Sequence, residues 1–288
     1  QEYYAQLFSD TNVENEPHPA GHPMNCHYGT RFINDDGTWK DMTKIKITTT
    51  DLSPTAAQMP RIMGLGLASK LFREDKNLHQ FKTLSNNGNE IVFGTIGDGS
   101  TSEGIFLEAI NAMGVLQIPV VMSVWDDGHA ISVPVEKQTT KGSISEALKG
   151  FAKENDSNGI EILKARGWNY PELCAVYDKA AKIARKEHTP VLVHIVELTQ
   201  PQGHSTSGSH ERYKSKKRLE WEKEYDCILQ FKKWILENNW ANEEELEEVH
   251  KNTKKIVREA KNSAWKNYIT PLKKELSEVL GMIDAIAS

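Results

Sequence analysis

Cysteine is scarce in this chain: of 288 residues only Cys26, Cys174 and Cys227 carry a thiol, and no two stand as a CxxC pair. That argues against a disulfide framework and against a cysteine-built zinc site, and a reducing, cytoplasmic setting is expected. Long apolar runs are missing as well. A bilayer-spanning helix needs about eighteen consecutive apolar residues, and no such run occurs, so no membrane partner is expected. Nor is there a basic run interleaved with aromatics. The net charge is −5 and aromatic residues make up 8%, so the footprint of a nucleic-acid binder is absent. No internal repeat or low-complexity tract interrupts the pattern. What is present is 38% hydrophobic residues, enough for a sizeable core in one α/β domain with appendages.

Residues 1–50 are polar and punctuated by Pro17, Pro19, Gly21, Pro23, Gly29 and Asp35-Asp36-Gly37, a pattern expected of an extended N-terminal arm laid over a neighbour. A helix is predicted over 54–73, with Ser53 as a natural N-cap and Pro54 at the first helical position. Gly64, Gly66 and Ala68 allow it close packing. Strands are predicted over 90–96, 118–125, 160–165 and 191–196, and helices after Gly104 and over 143–154 and 171–187. This alternation is that of a doubly wound parallel sheet with helices on both faces. From Glu211 onward, Leu219, Tyr225, Leu229, Phe231, Trp234 and Ile235 stand among dense charges, which predicts a helical C-terminal extension over 211–288. Asn239 or Asn242 is placed to cap the acidic start Glu243-Glu244-Glu245. The α/β domain between arm and extension is thereby 51–210.

The chemistry concentrates in Gly97-Asp98-Gly99-Ser100-Thr101-Ser102-Glu103-Gly104 and in Trp125-Asp126-Asp127-Gly128-His129. The first follows a β-rich run and opens a helix carrying Ile105, Leu107, Ala109, Ile110 and Met113; the second ends the next strand. In such a βαβ unit the helix N-terminus presents unsatisfied N–H groups and a partial positive charge to an anion, and a diphosphate suits it. Asp98 and Asp127 are 29 positions apart (127 minus 98), which brings both to the carboxyl edge of neighbouring parallel strands. Two hard oxygens there suit magnesium, which takes one or two protein carboxylates and completes its octahedron with water and phosphate oxygens. Taken singly, Gly-Asp-Gly is a common turn and Asp126-Asp127 an ordinary strand end.

Together these residues resemble a family. Gly-Asp-Gly followed after about thirty residues by a paired amide position is similar to the thiamine-diphosphate motif. GDGSTSEGIFLEAINAMGVLQIPVV with the later AISVP resembles the α-type half of the dehydrogenase component of 2-oxo acid dehydrogenase complexes, over roughly residues 20 to 215. The resemblance implies a thiamine-diphosphate-binding fold, with Asp98, Asp127 and the His129 backbone carbonyl as magnesium ligands. Gly97, Gly99 and Ser100 are then expected at the diphosphate, and Ser53 and Thr55 at the aminopyrimidine ring, with Gln58 fixing their turn. Gly21 to Gly29, including His27, resembles the family's glycine-rich approach to the site. Asp126-Asp127 stands where relatives have Asn-Asn. An extra carboxylate about 4 Å from the ion attracts it by several kcal/mol at an effective dielectric near 20, and repels the diphosphate comparably. Gln200 occupies the place of a diphosphate-gripping arginine, for which Lys141 or Lys214 is a candidate substitute.

The segment Gln200 to His210, QPQGHSTSGSH, has too little apolar surface to pack itself and is expected to be a mobile loop. A loop histidine at a strand's carboxyl end can move protons near neutrality, and the resemblance makes His204 the catalytic residue that assists acyl transfer to lipoyl sulfur. Ser205 falls where some relatives are phosphorylated. The implied activity is decarboxylation of a 2-oxo acid followed by acyl transfer to a lipoyl-bearing transacylase, with GHSTS nearer the branched-chain (2-oxoisovalerate) enzymes than the pyruvate ones. Its implied partner is a β-type dehydrogenase domain, separate or fused, in an α2β2-like assembly, because the glutamate acting on the aminopyrimidine comes from there. The chain begins with Gln1 rather than Met and is expected to be a fragment. A noncatalytic assembly module that keeps the fold is the competing reading, motivated by Asp126, Asp127 and Gln200.

Overall fold

The computed structural model describes residues 2–18, 24–49, 52, 54–204 and 210–287. Its helices are α1 (Glu2–Leu7), α2 (Met59–Glu74), α3 (Gly104–Leu116), α4 (Ile144–Ala147), α5 (Tyr170–Glu187), α6 (Lys216–Glu224), α7 (Cys227–Glu237) and α8 (Glu243–Ala287). Its strands are β1 (Val92–Gly97), β2 (Val120–Trp125), β3 (His129–Ala130), β4 (Val133–Pro134), β5 (Glu161–Arg166) and β6 (Val191–Val196). The chain divides into two compact units, 53–240 and a smaller one of 1–52 with 241–288.

In the larger unit the strands form a parallel sheet in the order β1-β2-β6-β5. Strand β2, Val-Val-Met-Ser-Val-Trp, is buried on both faces, as a central parallel strand must be. Side chains alternate along it, so Val120, Met122 and Val124 join one core with Met59 and Ile62 of α2 and Phe106, Ile110 and Met113 of α3. Val121 points the other way, into a core with Ala180 and Ala184 of α5 and Val191, Val193 and Ile195 of β6. The sheet thus carries helices on both faces. Gly66 is required at the first core: a Cβ there meets Val120 Cγ2 at 2.8 Å, whereas Gly64 faces open space. Leu107, expected inside, is 47% exposed, and Phe106 fills the place beside the sheet at 1%.

Two predicted helices are shorter than expected. Residues 55–58 form a turn and α2 starts at Met59, because Ala56 takes a left-handed φ of +63° that interrupts a helix begun at Pro54; Gln58, whose side-chain Nε2 donates to the Thr95 carbonyl (3.2 Å), precedes α2. The stretch 143–154 breaks into α4 and a 3₁₀ turn, Lys149–Phe151, because the backbone of Phe151 and Lys153 pairs with Ile160 ahead of β5. Pro54 is described, and the expected N-cap Ser53 lies outside the described residues, as do Gly21 and Ser205.

In the smaller unit α1 precedes Phe8, whose ring packs on Trp265 (5.3 Å) and Tyr268 (6.0 Å) of α8. Asn242, not Asn239, caps α8. Its Oδ1 accepts from the Glu245 amide (2.9 Å) while its own amide donates to Glu245 Oε2 (2.8 Å), a reciprocal capping box. His27 belongs to this unit, with Nδ1 3.0 Å from the Asn25 carbonyl.

Candidate active site

The carboxyl ends of β1, β2 and β6 open onto a cleft of about 600 Å³ in the larger unit. Its floor is Gly97, Asp98, Gly99 and Ser100 after β1, one wall is Trp125, Asp127 and His129 after β2, and the other is Leu198 to Gln200 after β6; Thr55 and His204 complete it. Register explains the juxtaposition. Gly97 pairs with Trp125 and Trp125 with Ile195, so the three chain exits stand side by side. Carboxyl edges of neighbouring parallel strands are where such sheets bind ligands.

Between β1 and α3 lies a 3₁₀ turn, Gly99–Ser102, so the chain approaches the cleft through this turn before the helix proper. Thr101 closes it, donating from its amide (3.1 Å) and its hydroxyl (2.6 Å) to the Asp98 carbonyl. The Gln138 amide group donates to the Gly99 carbonyl at 2.6 Å. Gly99 has no room for a side chain: a Cβ stands 2.8 Å from that of Ala130 in the β3–β4 hairpin.

Asp98 is 6% exposed, and its Oδ2 has no hydrogen-bond partner. Burial, then the charges of Asp126 and Asp127, push its carboxyl up to about 7. Burial likewise raises Asp127, opposed by the His129 amide, which donates to Asp127 Oδ1 at 3.1 Å, and by the positive charges of Lys214 and Arg218. A buried carboxylate without a partner costs free energy that a divalent cation would recover. Among the described residues no three His, Cys, Asp or Glu side chains cluster as a ready-made metal cage. Asp98 and Asp127 are the carboxylates that line the cleft among the described residues, and carboxylate oxygens are the donors a hard divalent cation takes.

The structure corrects the sequence expectations for three charged residues. Asp126 does not line the cleft: it turns inward, where its Oδ2 meets His194 Nε2 at 2.7 Å and its Oδ1 accepts from the Gly128 amide at 2.8 Å. Only its field reaches Asp98. Lys214 is no substitute for an arginine at Gln200, since its ammonium is buried on both oxygens of Glu222, at 2.8 and 3.0 Å. Lys141 is exposed and not among the lining residues. Gln200 does line the cleft, and no lysine or arginine does so among the described residues.

Sequence reasoning missed Arg218. Its Nη2 donates to the carbonyls of Asp127 (2.8 Å) and Leu198 (3.3 Å), and its Nε to Glu222 Oε1 (2.7 Å), so one guanidinium ties two walls of the cleft to α6. The four-residue spacing of Arg218 and Glu222 signals a helical ion pair, but nothing local signals its reach to Asp127. The apolar lining by Trp125, Ile131 and Leu198 was equally silent.

Residues 26–272 match the family described as the dehydrogenase E1 component. The chain is 30% identical over 204 residues to the pyruvate dehydrogenase E1 component subunit alpha of Rickettsia bellii, covering 71% of this chain and 56% of that protein. It is 28% identical over 261 residues to a mitochondrial 2-oxoisovalerate dehydrogenase subunit alpha of Arabidopsis thaliana, covering 90% and 48%. With the 2-oxoisovalerate dehydrogenase subunit alpha of Bacillus subtilis it shares 24% over 249 residues, covering 86% and 65%. The chain spans about half the length of the first two of these relatives.

Proposed function

The chain belongs to the dehydrogenase E1 component family, and from that footing we propose that it is the α-type part of a thiamine-diphosphate-dependent 2-oxo acid dehydrogenase of the doubly wound cofactor-binding type. The observation that carries the proposal is Asp98, a buried carboxylate with an unpartnered oxygen, facing the same cleft as Asp127. In this reading Asp98, Asp127 and the His129 carbonyl hold magnesium, Gly97, Gly99 and Ser100 meet the diphosphate, and Thr55 stands toward the aminopyrimidine. When bound, thiamine diphosphate supplies the carbon nucleophile that adds to the oxo group and permits loss of carbon dioxide.

The chain's own residues bind and orient. Arg218 holds the carbonyls of Asp127 and Leu198 in place, and Trp125, Ile131 and Leu198 supply the apolar part of the lining. In this reading His204, exposed at the cleft, hands a proton on or off as the acyl group passes to lipoyl sulfur on a transacylase. A β-type partner domain, in an α2β2-like assembly, provides the remaining groups.

For the substrate we favour branched-chain 2-oxo acids, on the Gly-His-Ser-Thr-Ser motif at 203–207; pyruvate is the runner-up, and the relatives' names include both. The absence of lysine and arginine among the described lining residues favours a second reading, a noncatalytic assembly module with weak cofactor affinity. Calorimetric titration with thiamine diphosphate and magnesium, for the chain alone and mixed with a β-type domain, separates the two. Saturable, magnesium-dependent binding supports the enzyme; no binding with the partner present supports the assembly module.

A further inference from the structure

The cleft reading does not use one buried polar chain of the larger unit. His194, 1% exposed in the middle of β6, has Nε2 at 2.7 Å from Asp126 Oδ2 and Nδ1 at 3.0 Å from Ser145 Oγ at the start of α4. Ser145 and Asp126 are each 8% exposed. This array has a hold on the turn beside it. Asp126 continues the β2–β6 pairing, its amide donating to the Ile195 carbonyl at 2.8 Å. Its side chain leaves on the face of Val124, toward His194, and its Oδ1 takes the Gly128 amide, closing a turn in which Gly128 has φ +80°. Asp127 follows directly and lines the cleft.

We propose that His194 is a positioning residue: by drawing Asp126 into the protein it sets the turn that presents Asp127 and His129 to the cation. The proposal rests on reading the cleft as a cation and diphosphate site. Consecutive side chains of an extended segment leave on opposite faces, so a carboxylate anchored inward at 126 directs its neighbour at 127 outward. The same anchor keeps one of three neighbouring carboxylates off the ion's ligand set. Drawing Asp126 inward needs the proton on Nε2, which donates to the carboxylate, and the Ser145 hydroxyl then donates to Nδ1.

Two amide substitutions isolate the contact. In His194→Gln the terminal amide reaches the place of Nε2 and keeps the bond to Asp126; in His194→Asn it reaches only the place of Nδ1 and keeps Ser145. Both bury a polar group smaller than imidazole and Asn leaves the larger void, so a role confined to filling the core lowers global stability more in Asn without singling out the Gly128 and His129 amides. With saturating thiamine diphosphate, in the assembly in which the unsubstituted chain binds, the magnesium concentration for half-saturation is expected to rise about tenfold or more in His194→Asn. It is expected to stay within about threefold in His194→Gln. Equal shifts in the two variants, or a larger one in Gln, overturn the proposal. A ligand-free readout keeps it independent of the cleft's function: hydrogen exchange of the Gly128 and His129 amides, which donate to Asp126 and Asp127, should accelerate about tenfold in Asn and little in Gln. Failure of the unsubstituted chain to bind refutes the cofactor reading alone, and the exchange comparison then decides whether His194 sets the turn.

Discussion

Asp98 is held in a state that ordinary carboxyl groups reach only in acid. Its folded value near 7 stands above its usual 3.8, so between those limits the unfolded chain has released this proton and the folded chain retains it. The folded state then binds more protons, and this residue's contribution to stability declines as pH rises through that window. Asp98→Asn, which removes the charge at nearly constant volume, should therefore raise the melting temperature of the ligand-free chain at pH 8 and change it little near pH 4. The same substitution should abolish magnesium-dependent binding of thiamine diphosphate. A melting temperature unchanged at pH 8 would show that the carboxylate is not destabilised there. Cation binding needs the deprotonated form, so affinity should fall from pH 8 to pH 6 with up to one proton taken up per site vacated. Calorimetry in buffers of different ionisation enthalpy measures that proton directly, and a count near zero at pH 6.5 contradicts the assignment.

Helices and strands meet their neighbours through a few positions where size is the whole argument. Gly66 on α2 faces Val120 and Ile118 at distances that leave no space for a Cβ, so Gly66→Val should destabilise the larger unit by about 1–3 kcal/mol, read from the denaturant midpoint. Gly64→Ala, facing open space, serves as its control and should be neutral or slightly stabilising. At the start of α8, Asn242→Ala removes the capping box and should cost about 1 kcal/mol, seen as faster exchange of the Glu245 amide. These elements also show what a sequence can and cannot announce. The β1-turn-α3-β2 unit was legible because its cues are local: a β-rich run, a glycine turn, an apolar helix, a second strand. The Asn242 cap was legible as one of two choices, and register then decided between them. The start of α2 was misread because Pro54 suggests a helix start, and nothing local announces that Ala56 takes a left-handed φ of +63°. Asp98 and Asp127 could be named from spacing, and Gly99 from the family resemblance. The roles of Asp126 and Arg218 could not, because each is decided by a partner remote in sequence, His194 or Asp127; nor could that of Lys214, whose partner Glu222 is only eight positions on, because charge alone does not say which way a side chain turns.

At the scale of the molecule, ligand and fold are linked by mass action. A ligand that binds only the folded larger unit stabilises it by about 2.7 kcal/mol at one hundred times its dissociation constant. Scanning calorimetry should thus show the transition of residues 53–240 moving upward with thiamine diphosphate and magnesium together, and far less with either alone. If each alone gives the full shift, the ion does not bridge the diphosphate to the carboxylates.

The strand order has a consequence for how the chain reaches this state. Strand β2 lies beside β6, with Val121 paired to Val191, seventy positions later (191 minus 121), and β5 enters the sheet only through β6. During synthesis β1 and β2 emerge early, yet one edge of the apolar β2 stays open until β6 has been made. Such long-range pairing is slow, and an uncovered apolar edge invites association with other chains. The strand that carries Asp127 to the cleft is therefore also one whose protection in the nascent chain waits on residues 191–196.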